Sequence, residues 1–561
     1  MRRSLAIACI AVATATGGAV IVTQPAFATA GCTVKYTIGT QWPGGFGATV
    51  EFTNTGAALN GWRLEWDFVA GQGVQHMWQA APSVAGLHVT ASNASFNGSV
   101  PSGGKVVFGF NGSWTTSNPV PAVFTLNGVT CNGGGPSGSA SASRSASASA
   151  SPSASSIPDA HVDNPFVGAK GYVNADWSAK AAAEPGGGRV ADTPTAVWIE
   201  RIASVPDVRR HLDAALAQAT TTKPVVIQFV LYDLPGRDCT ALTPTGEHSI
   251  DDNGLIWYKT EFIDPIAAIM ADPKYSRLRI VNLVEGDALA DLIVGEHMPS
   301  CNLAAASGVY VQGIQYALNK LHRANIYNYL GIGHHGKLGW DTEFGPAATL
   351  ITDTVRATTA GLSSVDGFAD NTADYGATTE PYFTINTTVN GVPVRQSRWV
   401  DWNMFVDEST YTQAFRAALI AKGFPATTGM LIDTSRNGWG GAARPTGPST
   451  STSMDTFVDG SRVDRRAYAG NWCNQIGAGL GERPRVSPAP GIDAYVWIKP
   501  PGESDGPGTP GADGFTYMCD PTWTGSGGGY HPTGAMPGAP VRGAWFPAQF
   551  QQLVTNAYPA L

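Results

Sequence analysis

Carboxylate side chains recur along the C-terminal part of the chain, each shortly after a run of apolar, β-forming residues. The polar residues that follow these runs are, in chain order, Glu200, Arg201, Tyr232, Asp233, Asp238, Glu285, Asp287, His334, His335, Asp370, Asn371, Asp433, Arg436, Lys499, Glu503 and Asp505. Carboxylates that lie close together cannot all ionise cheaply, so the pKa of at least one rises to that of a usable general acid. A single carboxylate after a strand is often a structural cap. The indication of acid–base chemistry therefore comes from their number.

The remaining polar residues favour a chemistry that needs no metal. His334 and His335 are adjacent in the chain and point in different directions on a strand or turn, so we expect no metal site there. Carboxylates accompanied by Tyr and Trp favour glycoside hydrolysis, in which one carboxylic acid protonates the leaving oxygen. No cofactor is expected.

The elements that must position these side chains alternate between strand-like and helix-like patterns over residues 158–561. The seven apolar runs are Ala196–Ile199, Val225–Leu231, Leu278–Val284, Ile326–Ile332, Val365–Phe368, Gly429–Ile432 and Ala494–Ile498. The clearest helical patterns between them cover 209–219, 308–324 and 410–423. Alternating strands and helices predict a parallel sheet, and seven such units favour an α/β barrel with its active site at the carboxyl ends of the strands. Long Gly/Pro-rich stretches at 437–448 and 500–540 are expected to be functional surface loops.

The residues before this region divide into three parts of different composition. Residues 1–30 combine two arginines, an apolar stretch and a small-residue cleavage pattern, which predicts a signal peptide and a secreted protein. A membrane anchor is the alternative, but glycines and hydroxyl residues weaken the stretch for that purpose. Residues 31–132 contain short β-type runs separated by Gly, Asn and Pro, which predicts an all-β sandwich. Residues 133–157 are rich in Ser and Ala and predict a flexible linker.

The overall composition limits the classes of partner. Charged residues make up 14% of the 561 residues, against roughly 25% in typical soluble domains. The net charge is −8 and no long basic run occurs, so a nucleic-acid partner is not expected. A surface rich in aromatic rings and poor in charge suits neutral polar ligands, above all sugars. We expect a monomer with no membrane partner.

Six cysteines follow the predicted signal peptide, and they are Cys32, Cys131, Cys239, Cys301, Cys473 and Cys519. An even number of cysteines in an exported protein predicts disulfides. Many pairings are formally possible. Pairing of chain neighbours is the simplest, because each bond then lies within one presumptive domain. Zinc binding is the alternative, and no CxxC spacing supports it.

Five motifs in the second domain resemble glycoside hydrolase family 6. They are YDLPGRDC (Tyr232–Cys239), LVEGDAL (Leu283–Leu289), GHHGKLGW (Gly333–Trp340), GNWCNQIGAGLGERP (Gly470–Pro484) and YVWIKPPGESDG (Tyr495–Gly506). The likeness extends over the whole second domain and is greatest to the bacterial cellobiohydrolases of the family. It implies inverting cleavage of β-1,4-glucan by a distorted seven-stranded parallel β/α barrel.

The resemblance also implies roles for individual residues. Asp287 would be the general acid, Asp238 would raise the pKa of that acid and help to relay a proton, and Asp505 would be the base, acting through a water chain. Inversion predicts that the acid and base carboxyl groups lie about 6.5–9.5 Å apart, which leaves room for water. The implied substrate-binding residues are Tyr232, which would press on the sugar at the cleavage point, and Arg237, Trp198, His334, Trp340, Asn371, Trp472, Lys499 and Glu503.

Three positions depart from the pattern of family 6. The family usually has Asp where Gly331 stands, Trp where Lys337 stands and Ser where Pro244 stands. The three catalytic carboxylates are present, so the departures bear on product-side binding, rate and substrate preference. A missing stacking ring costs roughly 1 kcal/mol of binding. An alternative role for Lys337 is contact with a charged or branched neighbour of the glucan.

The first domain resembles carbohydrate-binding module family 2, through its terminal cysteines, the Gly-Trp pair at Trp62 and two FNGS repeats. The positions that match its coplanar, cellulose-stacking rings are Trp42, Trp78 and Phe96. The third ring is usually Trp. Gly45 matches the cellulose-binding subgroup, because the xylan binders tend to carry Arg at that position. Trp62 is expected to belong to the core.

The sequence therefore predicts a secreted, two-domain cellobiohydrolase that acts processively on cellulose, with the family resemblance pointing to non-reducing chain ends. Long loops would roof a tunnel that holds a single chain. An endoglucanase of the same family, with open loops, is the first alternative. A non-catalytic cellulose-binding protein is the second. The three departures motivate that second alternative, and the three intact carboxylates argue against it.

Overall fold

The computed structural model describes residues 31–42, 44–94, 97–114, 117–121, 123–131, 161–220, 222–241, 245–251, 253–512, 514–524 and 531–561. These residues form two compact units, one on each side of the predicted linker. The predicted signal peptide, the linker, Phe96 and Pro244 lie outside the described residues, as does the side chain of Trp42. No helix in the described part of the chain is long and apolar enough to cross a membrane.

The first unit consists of antiparallel strands. They are β1 (Cys32–Trp42), β2 (Gly45–Asn54), β3 (Leu59–Asn60), β4 (Arg63–Asp67), β5 (Gly73–Trp78), β6 (Ala80–Ala85), β7 (His88–Asn93), β8 (Ser99–Val100), β9 (Lys105–Ser113), β10 (Phe124–Leu126) and β11 (Val129–Thr130). One sheet has the order β1-β2-β9-β5 and the other has the order β11-β10-β4-β7-β6, with β3 and β8 forming a separate pair. The all-β prediction is confirmed.

An aromatic core joins the two sheets of the first unit. Phe108 and Phe110 on β9 and Trp66 on β4 are buried and pack against one another in the interior. Trp62 is buried with them, and its indole N–H donates to the carbonyl of Asn97 at 2.9 Å. The core role predicted for Trp62 is confirmed.

The second unit contains a second set of strands, numbered onward. They are β12 (Lys170–Gly171), β13 (Val197–Ile199), β14 (Val225–Leu231), β15 (Leu278–Val284), β16 (Ile326–Gly331), β17 (Gly367–Asp370), β18 (Thr388–Val389), β19 (Val392–Pro393), β20 (Gly429–Asp433), β21 (Arg485–Ala489) and β22 (Ile492–Val496). Its helices are α1 (Ala175–Ala183), α2 (Val205–Gln218), α3 (Gly254–Trp257), α4 (Asp264–Met270), α5 (Ala288–Val294), α6 (Pro299–Ser307), α7 (Val309–Leu321), α8 (His335–Leu338), α9 (Asp341–Arg356), α10 (Glu408–Ala421), α11 (Met454–Ser461) and α12 (Pro547–Thr555).

The main sheet of this unit runs in chain order, and each of the seven predicted runs contributes a strand to it. The order is β13-β14-β15-β16-β17-β20-β22, and all of these strands are parallel. The sheet has nine strands rather than seven. The additional two are β12, which is too short to leave a sequence pattern, and the exposed, Pro-containing β21, which pairs antiparallel with β22.

The sheet curls, but its strand ladder does not close. Among the described residues no strand pairing joins β13 to β22. A single backbone hydrogen bond, from Ala196 N to Trp497 O at 3.0 Å, and the indole of Trp198, which donates to Ile498 O at 2.9 Å, bridge the gap. The architecture is therefore a curled, open α/β sheet rather than a fully closed barrel.

Both faces of the curled sheet are buried, which is why its strands read as continuous apolar runs. All seven residues of β14 are buried. Inward-facing residues such as Val230, Leu283 and Tyr329 form the inner core. Their neighbours along the strands, such as Phe229, pack against α2, α4, α7, α9 and α10 on the outside. This packing fixes the carboxyl ends of the strands, where the candidate site lies.

Candidate active site

Three residues at the carboxyl ends of the sheet have backbone conformations that side chains rarely adopt. Asp238, Glu285 and Asn371 lie in the left-handed region, with φ of 57°, 49° and 59°. Each follows a different parallel strand. Strain of this kind costs of order 1–3 kcal/mol per residue and clusters at functional sites. The strand ends named in the sequence analysis are therefore the place to look for chemistry.

Asp238 is held by three neighbours. The hydroxyls of Tyr232 and Thr245 donate to its two carboxylate oxygens, and the guanidinium of Arg542 lies 3.0 Å from Oδ2. Burial alone would raise the pKa of this carboxyl. The charges of Arg542 and Arg237 and the two hydrogen bonds outweigh burial and lower the pKa to about 2. Asp238 is consequently a carboxylate anion throughout the physiological range.

Asp287 has a different environment at the end of the next strand. It occupies the N-cap position of α5, but its side chain accepts no capping hydrogen bond. The side chain is 35% exposed, and the partner of its carboxylate is the ammonium of Lys337, with Nζ 3.3 Å from Oδ1. Asp287 therefore does not act as a structural cap of α5. An exposed, unused carboxyl oxygen is available to a ligand.

A second carboxylate lies one helical turn beyond Asp287. Asp291 is buried in α5, its Oδ1 lies 2.7 Å from Lys337 Nζ, and the hydroxyl of Thr240 donates to the same oxygen at 3.3 Å. Burial raises the pKa of Asp291 to about 6, although Lys337 opposes the rise. Lys337 thus pairs with two carboxylates and is not free to contact a charged neighbour on a substrate.

Asp505 lies in the long segment that follows β22 and is bound tightly. Arg436 Nη1 lies 2.8 Å from each of its oxygens, and Oδ2 also accepts from the hydroxyl of Tyr375 at 3.0 Å and from the backbone N–H of Asn474 at 2.8 Å. Lys499 Nζ is 3.9 Å from Oδ1. Oδ1 is therefore the less engaged oxygen and the one through which a water can be contacted.

Aromatic rings and cations form one wall of the site. The ring of Trp198 lies edge-on to that of Tyr232, with centroids 6.0 Å apart. Lys499 Nζ lies 5.0 Å from the Trp198 ring centroid, and the guanidinium carbon of Arg237 lies 5.0 Å from the Tyr232 centroid. The structure therefore brings together four of the predicted substrate-binding residues. Glu503 is close to them, and burial raises its pKa to about 7 although Lys499 opposes the rise.

The remaining predicted substrate residues are placed apart from this wall. His334 Nε2 lies 3.1 Å from Asp374, and the indole of Trp340 donates to Asp401 O at 2.7 Å. Asn371 is fully buried, with its amide bonded to the backbone at 433 and 376, so it braces the strand ends. Trp340 and Trp472 are half-buried. Their contact with substrate stays a prediction.

One group of side chains has the composition of a metal site. His334, His335 and Glu408 bring ligand atoms within 4.8 Å of one another. His335 Nδ1 lies 2.6 Å from Glu408 Oε1, and the backbone N–H of His335 donates to Oε2 of the same residue at 2.9 Å. Both carboxylate oxygens of Glu408 are thus used by His335. A buried ion pair accounts for the cluster, and we assign no metal to it.

Close packing explains the departure at Gly331. A Cβ atom at this position would lie 1.7 Å from the carbonyl oxygen of Gly286, so no side chain fits at the end of β16. The strand ends of β15 and β16 approach one another directly as a result. The carboxylate usual at this position in family 6 is excluded here by the backbone of the residue before Asp287.

Sequence reasoning missed Arg542, Thr245 and Asp291. Arg542 is an isolated charge just beyond the second Gly/Pro-rich stretch, and this isolation was the available signal. Asp291 follows Asp287 by four residues, a spacing that places two carboxylates on one face wherever the segment is helical, as it is in α5. Thr245 offered no signal, because its role depends on the fold of the loop after Asp238.

Disulfides hold the loops that carry the site. The bonds are Cys32–Cys131 in the first unit and Cys239–Cys301 and Cys473–Cys519 in the second, which are the neighbour pairs expected. Cys239 directly follows Asp238 and ties it to α6. Cys473–Cys519 ties the second long loop to the segment that carries Asn474.

Comparison with protein families assigns the two units. The model described as "Glycosyl hydrolases family 6" matches residues 168–557, which is more than half of the chain. The chain belongs to glycosyl hydrolases family 6. The model described as "Cellulose binding domain" matches residues 32–131 of the same family 6 chain.

Curated relatives and solved structures agree with this assignment. Exoglucanase A of Cellulomonas fimi is 45% identical over 435 residues, covering 72% of this family 6 chain and 50% of the relative, so the chain spans about half the length of that protein. The probable 1,4-β-D-glucan cellobiohydrolase C of Aspergillus niger is 34% identical, covering 71% and 78%. The catalytic domain of Cellulomonas fimi Cel6B matches with a TM-score of 0.69 at 44% identity, covering 72% and 97%. Cellobiohydrolase II (Cel6A) from Humicola insolens, in complex with glucose and cellotetraose, matches with a TM-score of 0.57 at 29% identity, covering 71% and 100%.

Proposed function

We propose that this family 6 chain is a secreted, monomeric cellobiohydrolase that hydrolyses the β-1,4-glucosidic bonds of cellulose with inversion and releases cellobiose processively from non-reducing ends. The observation that carries the proposal is the contrast between two adjacent strand ends. Asp238 is fixed as an anion, whereas the Asp287 carboxyl is exposed and uncommitted to capping. An anion beside a proton donor is the arrangement that glycoside hydrolysis requires.

Asp287 is the proposed general acid. It gives its proton to the leaving glycosidic oxygen as the bond to the anomeric carbon breaks, and a water attacks that carbon from the opposite face. The proton of the water passes to the base, for which Asp505 Oδ1 is the candidate. Asp238 favours the protonated form of the acid and helps to relay the proton of the water, and its negative charge also stabilises the positive charge that develops on the sugar ring. The hydrogen bond between Asp238 and Tyr232 orients the tyrosine.

The long loops support action from chain ends. In the second unit, the described residues of 437–453 and 499–546 contain no helix or strand apart from a short 3₁₀ turn at Tyr517–Cys519, yet they are anchored to the body. In the second of these loops an isolated β-bridge joins Ala535 to Gln475, and another, between Glu503 and Trp545, joins the two ends of the loop to each other. The disulfide Cys473–Cys519 anchors the same loop to the body, and in the first loop Gly438 N donates to Gly479 O at 2.9 Å. Loops held in this way are suited to roofing a tunnel around a single chain.

The first unit is the proposed cellulose-surface anchor, with Trp42, Trp78 and Phe96 as its stacking rings. A Cβ atom at Gly109 would lie 2.4 Å from the Trp78 ring, so the absence of a side chain there lets the indole lie against β9. β5 and β9 are neighbours at this point, with Trp78 opposite Gly109. Tethering this unit to the catalytic one raises the local concentration of enzyme on insoluble cellulose.

Product analysis on phosphoric-acid-swollen cellulose tests the proposal, with Asp287→Ala measured beside the wild type. Cellobiose as the dominant soluble product, abolished by the substitution, is the expected result. A spread of longer oligosaccharides with a rapid fall in viscosity would identify an endoglucanase with open loops. Retained binding with no product from the wild type would identify a non-catalytic cellulose-binding protein.

A further inference from the structure

Lys337 connects two carboxylates that belong to the same helix. Its Nζ lies 3.3 Å from Asp287 Oδ1 and 2.7 Å from Asp291 Oδ1. The side chain of Asp291 is 3% exposed and that of Lys337 is 19% exposed, so the shorter ion pair is also the more deeply buried one. The ammonium is therefore bound mainly by Asp291 and only secondarily by the exposed Asp287.

The negative and positive charges of these three groups do not balance. When all are ionised, two carboxylates and one ammonium carry a net charge of −1, and a single added proton makes the cluster neutral. Burial lowers the pKa of Lys337, but the charges of Asp287 and Asp291 outweigh burial and raise it well above its usual range. The ammonium therefore keeps its proton, and the one added proton belongs to the carboxylates.

The other titratable groups around the cluster come from four elements. They are Tyr232, Arg237 and Asp238 after β14, Glu285 after β15, Tyr310 on α7, and Arg542 in the second long loop. Asp238 and Arg542 form an ion pair, as described above. Tyr232 and Tyr310 are neutral, because burial raises the pKa of each phenol above its ordinary value. Lys337 is therefore the charged group in direct contact with Asp287, and Asp291 is the carboxylate that competes for it.

We infer that Lys337 and Asp291 are positioning residues that set the protonation state of Asp287, an inference that rests on the proposed role of Asp287 as the general acid. Asp291 lies closer to the ammonium than Asp287 does and competes for it, which weakens the attraction of Lys337 for the exposed carboxylate. Lys337 in turn compensates the buried charge of Asp291. Without Asp291, the ammonium would pair with Asp287 alone and favour its anion, which cannot donate.

Two single substitutions should move the pH dependence of kcat/KM in opposite directions. The alkaline limb reports loss of the proton from the general acid. Asp291→Asn removes a negative charge near Asp287 and leaves the ammonium of Lys337 to pair with Asp287 alone. Both changes favour the Asp287 anion, so the alkaline limb is expected to move to lower pH by about 1 unit. Lys337→Met removes the attracting charge, so the limb is expected to move to higher pH by a similar amount. Hydrolysis of a soluble cello-oligosaccharide over a range of pH measures both.

Three further proteins serve as comparisons. The double variant Asp291→Asn/Lys337→Met removes both charges, and its limb is expected between those of the single variants. Lys337→Arg keeps the charge and is expected to keep the wild-type limb. Lys320→Met removes a surface lysine that pairs with Asp264 at 2.7 Å, and it controls for loss of an ion pair elsewhere. Melting temperatures confirm that each variant is folded.

The test separates failure of this inference from failure of the proposed function. If Asp287→Ala abolishes hydrolysis while both single variants keep the wild-type limb, or shift it in the same direction, the inference is wrong and the proposed function stands. If Asp287→Ala hydrolyses at the wild-type rate, the proposed function is wrong. The carboxyl ¹³C resonance of Asp287 in full-length, aspartate-labelled protein then decides the inference independently, because its titration must shift in opposite directions in the two variants.

Discussion

The segments that follow β14 and β15 each carry a carboxylate of the candidate site, yet the surroundings of the two differ in kind. Asp238, after β14, accepts hydrogen bonds from two hydroxyls and contacts an arginine. Asp287, after β15, contacts a lysine that is bound more closely by Asp291. The side chain of Asp238 is 16% exposed, about half the exposure of Asp287.

With the proposed roles, this difference lets one sheet edge hold an anion and a proton donor side by side. Donors that converge on a buried carboxylate lower its pKa, as they do at Asp238. A carboxylate that shares its cation with a second carboxylate retains the capacity to hold a proton. The chemistry is therefore determined by the neighbours of each aspartate and not by the aspartates alone. The predictions below change those neighbours in turn.

The largest effect is expected from removing the anion. Asp238→Asn leaves Arg542 without its partner and deprives the reacting sugar of a fixed negative charge. We expect kcat on cello-oligosaccharides to fall by about 10³-fold, within the range of such contributions. Steady-state kinetics measure the loss, and a cooperative melting transition above the assay temperature shows that the variant is folded. An activity within a few-fold of the wild type would mean that Asp238 has no part in the reaction.

A smaller effect is expected on stability when Arg542 is replaced by Met. The pKa of Asp238 is lowered from 3.8 to about 2, and this shift corresponds to about 2 kcal/mol of folding stability at neutral pH. Because the shift is downward, the stabilisation is present above about pH 4 and is lost as the pH falls towards 2. Arg542→Met should therefore lower the unfolding free energy at pH 7 and have much less effect at pH 2. Urea unfolding at the two pH values measures this, and an equal loss at both would contradict it.

The smallest effect is expected in the other compact unit. Trp78→Ala removes one proposed stacking ring and should weaken adsorption to crystalline cellulose by about 1 kcal/mol, or roughly five-fold. Depletion isotherms measure the change. Leu87→Ala is the matched control, because Leu87 is an exposed apolar residue on the turn between β6 and β7 of the other sheet. Equal adsorption by both variants would remove Trp78 from the binding surface.

Much of the second unit could be predicted because its strands are buried on both faces. Runs such as Val225–Leu231 and Leu278–Val284 become strands with the predicted bounds. β12 has two residues and β21 is exposed, and neither leaves an apolar run. The open gap between β13 and β22 was not predictable either, because closure depends on the curl of the whole sheet.

The sequence predicts which strand ends carry the site, but it does not predict which side chains contact one another there. Local spacing places Asp287 and Asp291 one helical turn apart. Lys337 is 50 residues from Asp287, and its contact depends on how α8 packs against α5. Arg542 reaches Asp238 from the far end of the chain through a loop without regular structure. The expectation that Lys337 contacts a charged group on the glucan has no support in the structure, because two aspartates bind its ammonium.

The central claim is that Asp287 donates the proton and Asp238 remains an anion. Leaving-group dependence tests it most directly, because a substrate with an activated aryl leaving group needs no proton to depart. We predict that Asp287→Ala loses about 10²–10⁴-fold on a cello-oligosaccharide and less than about ten-fold on an activated aryl β-cellobioside, whereas Asp238→Asn loses activity on both. An equal loss on the two substrates for Asp287→Ala would contradict the account.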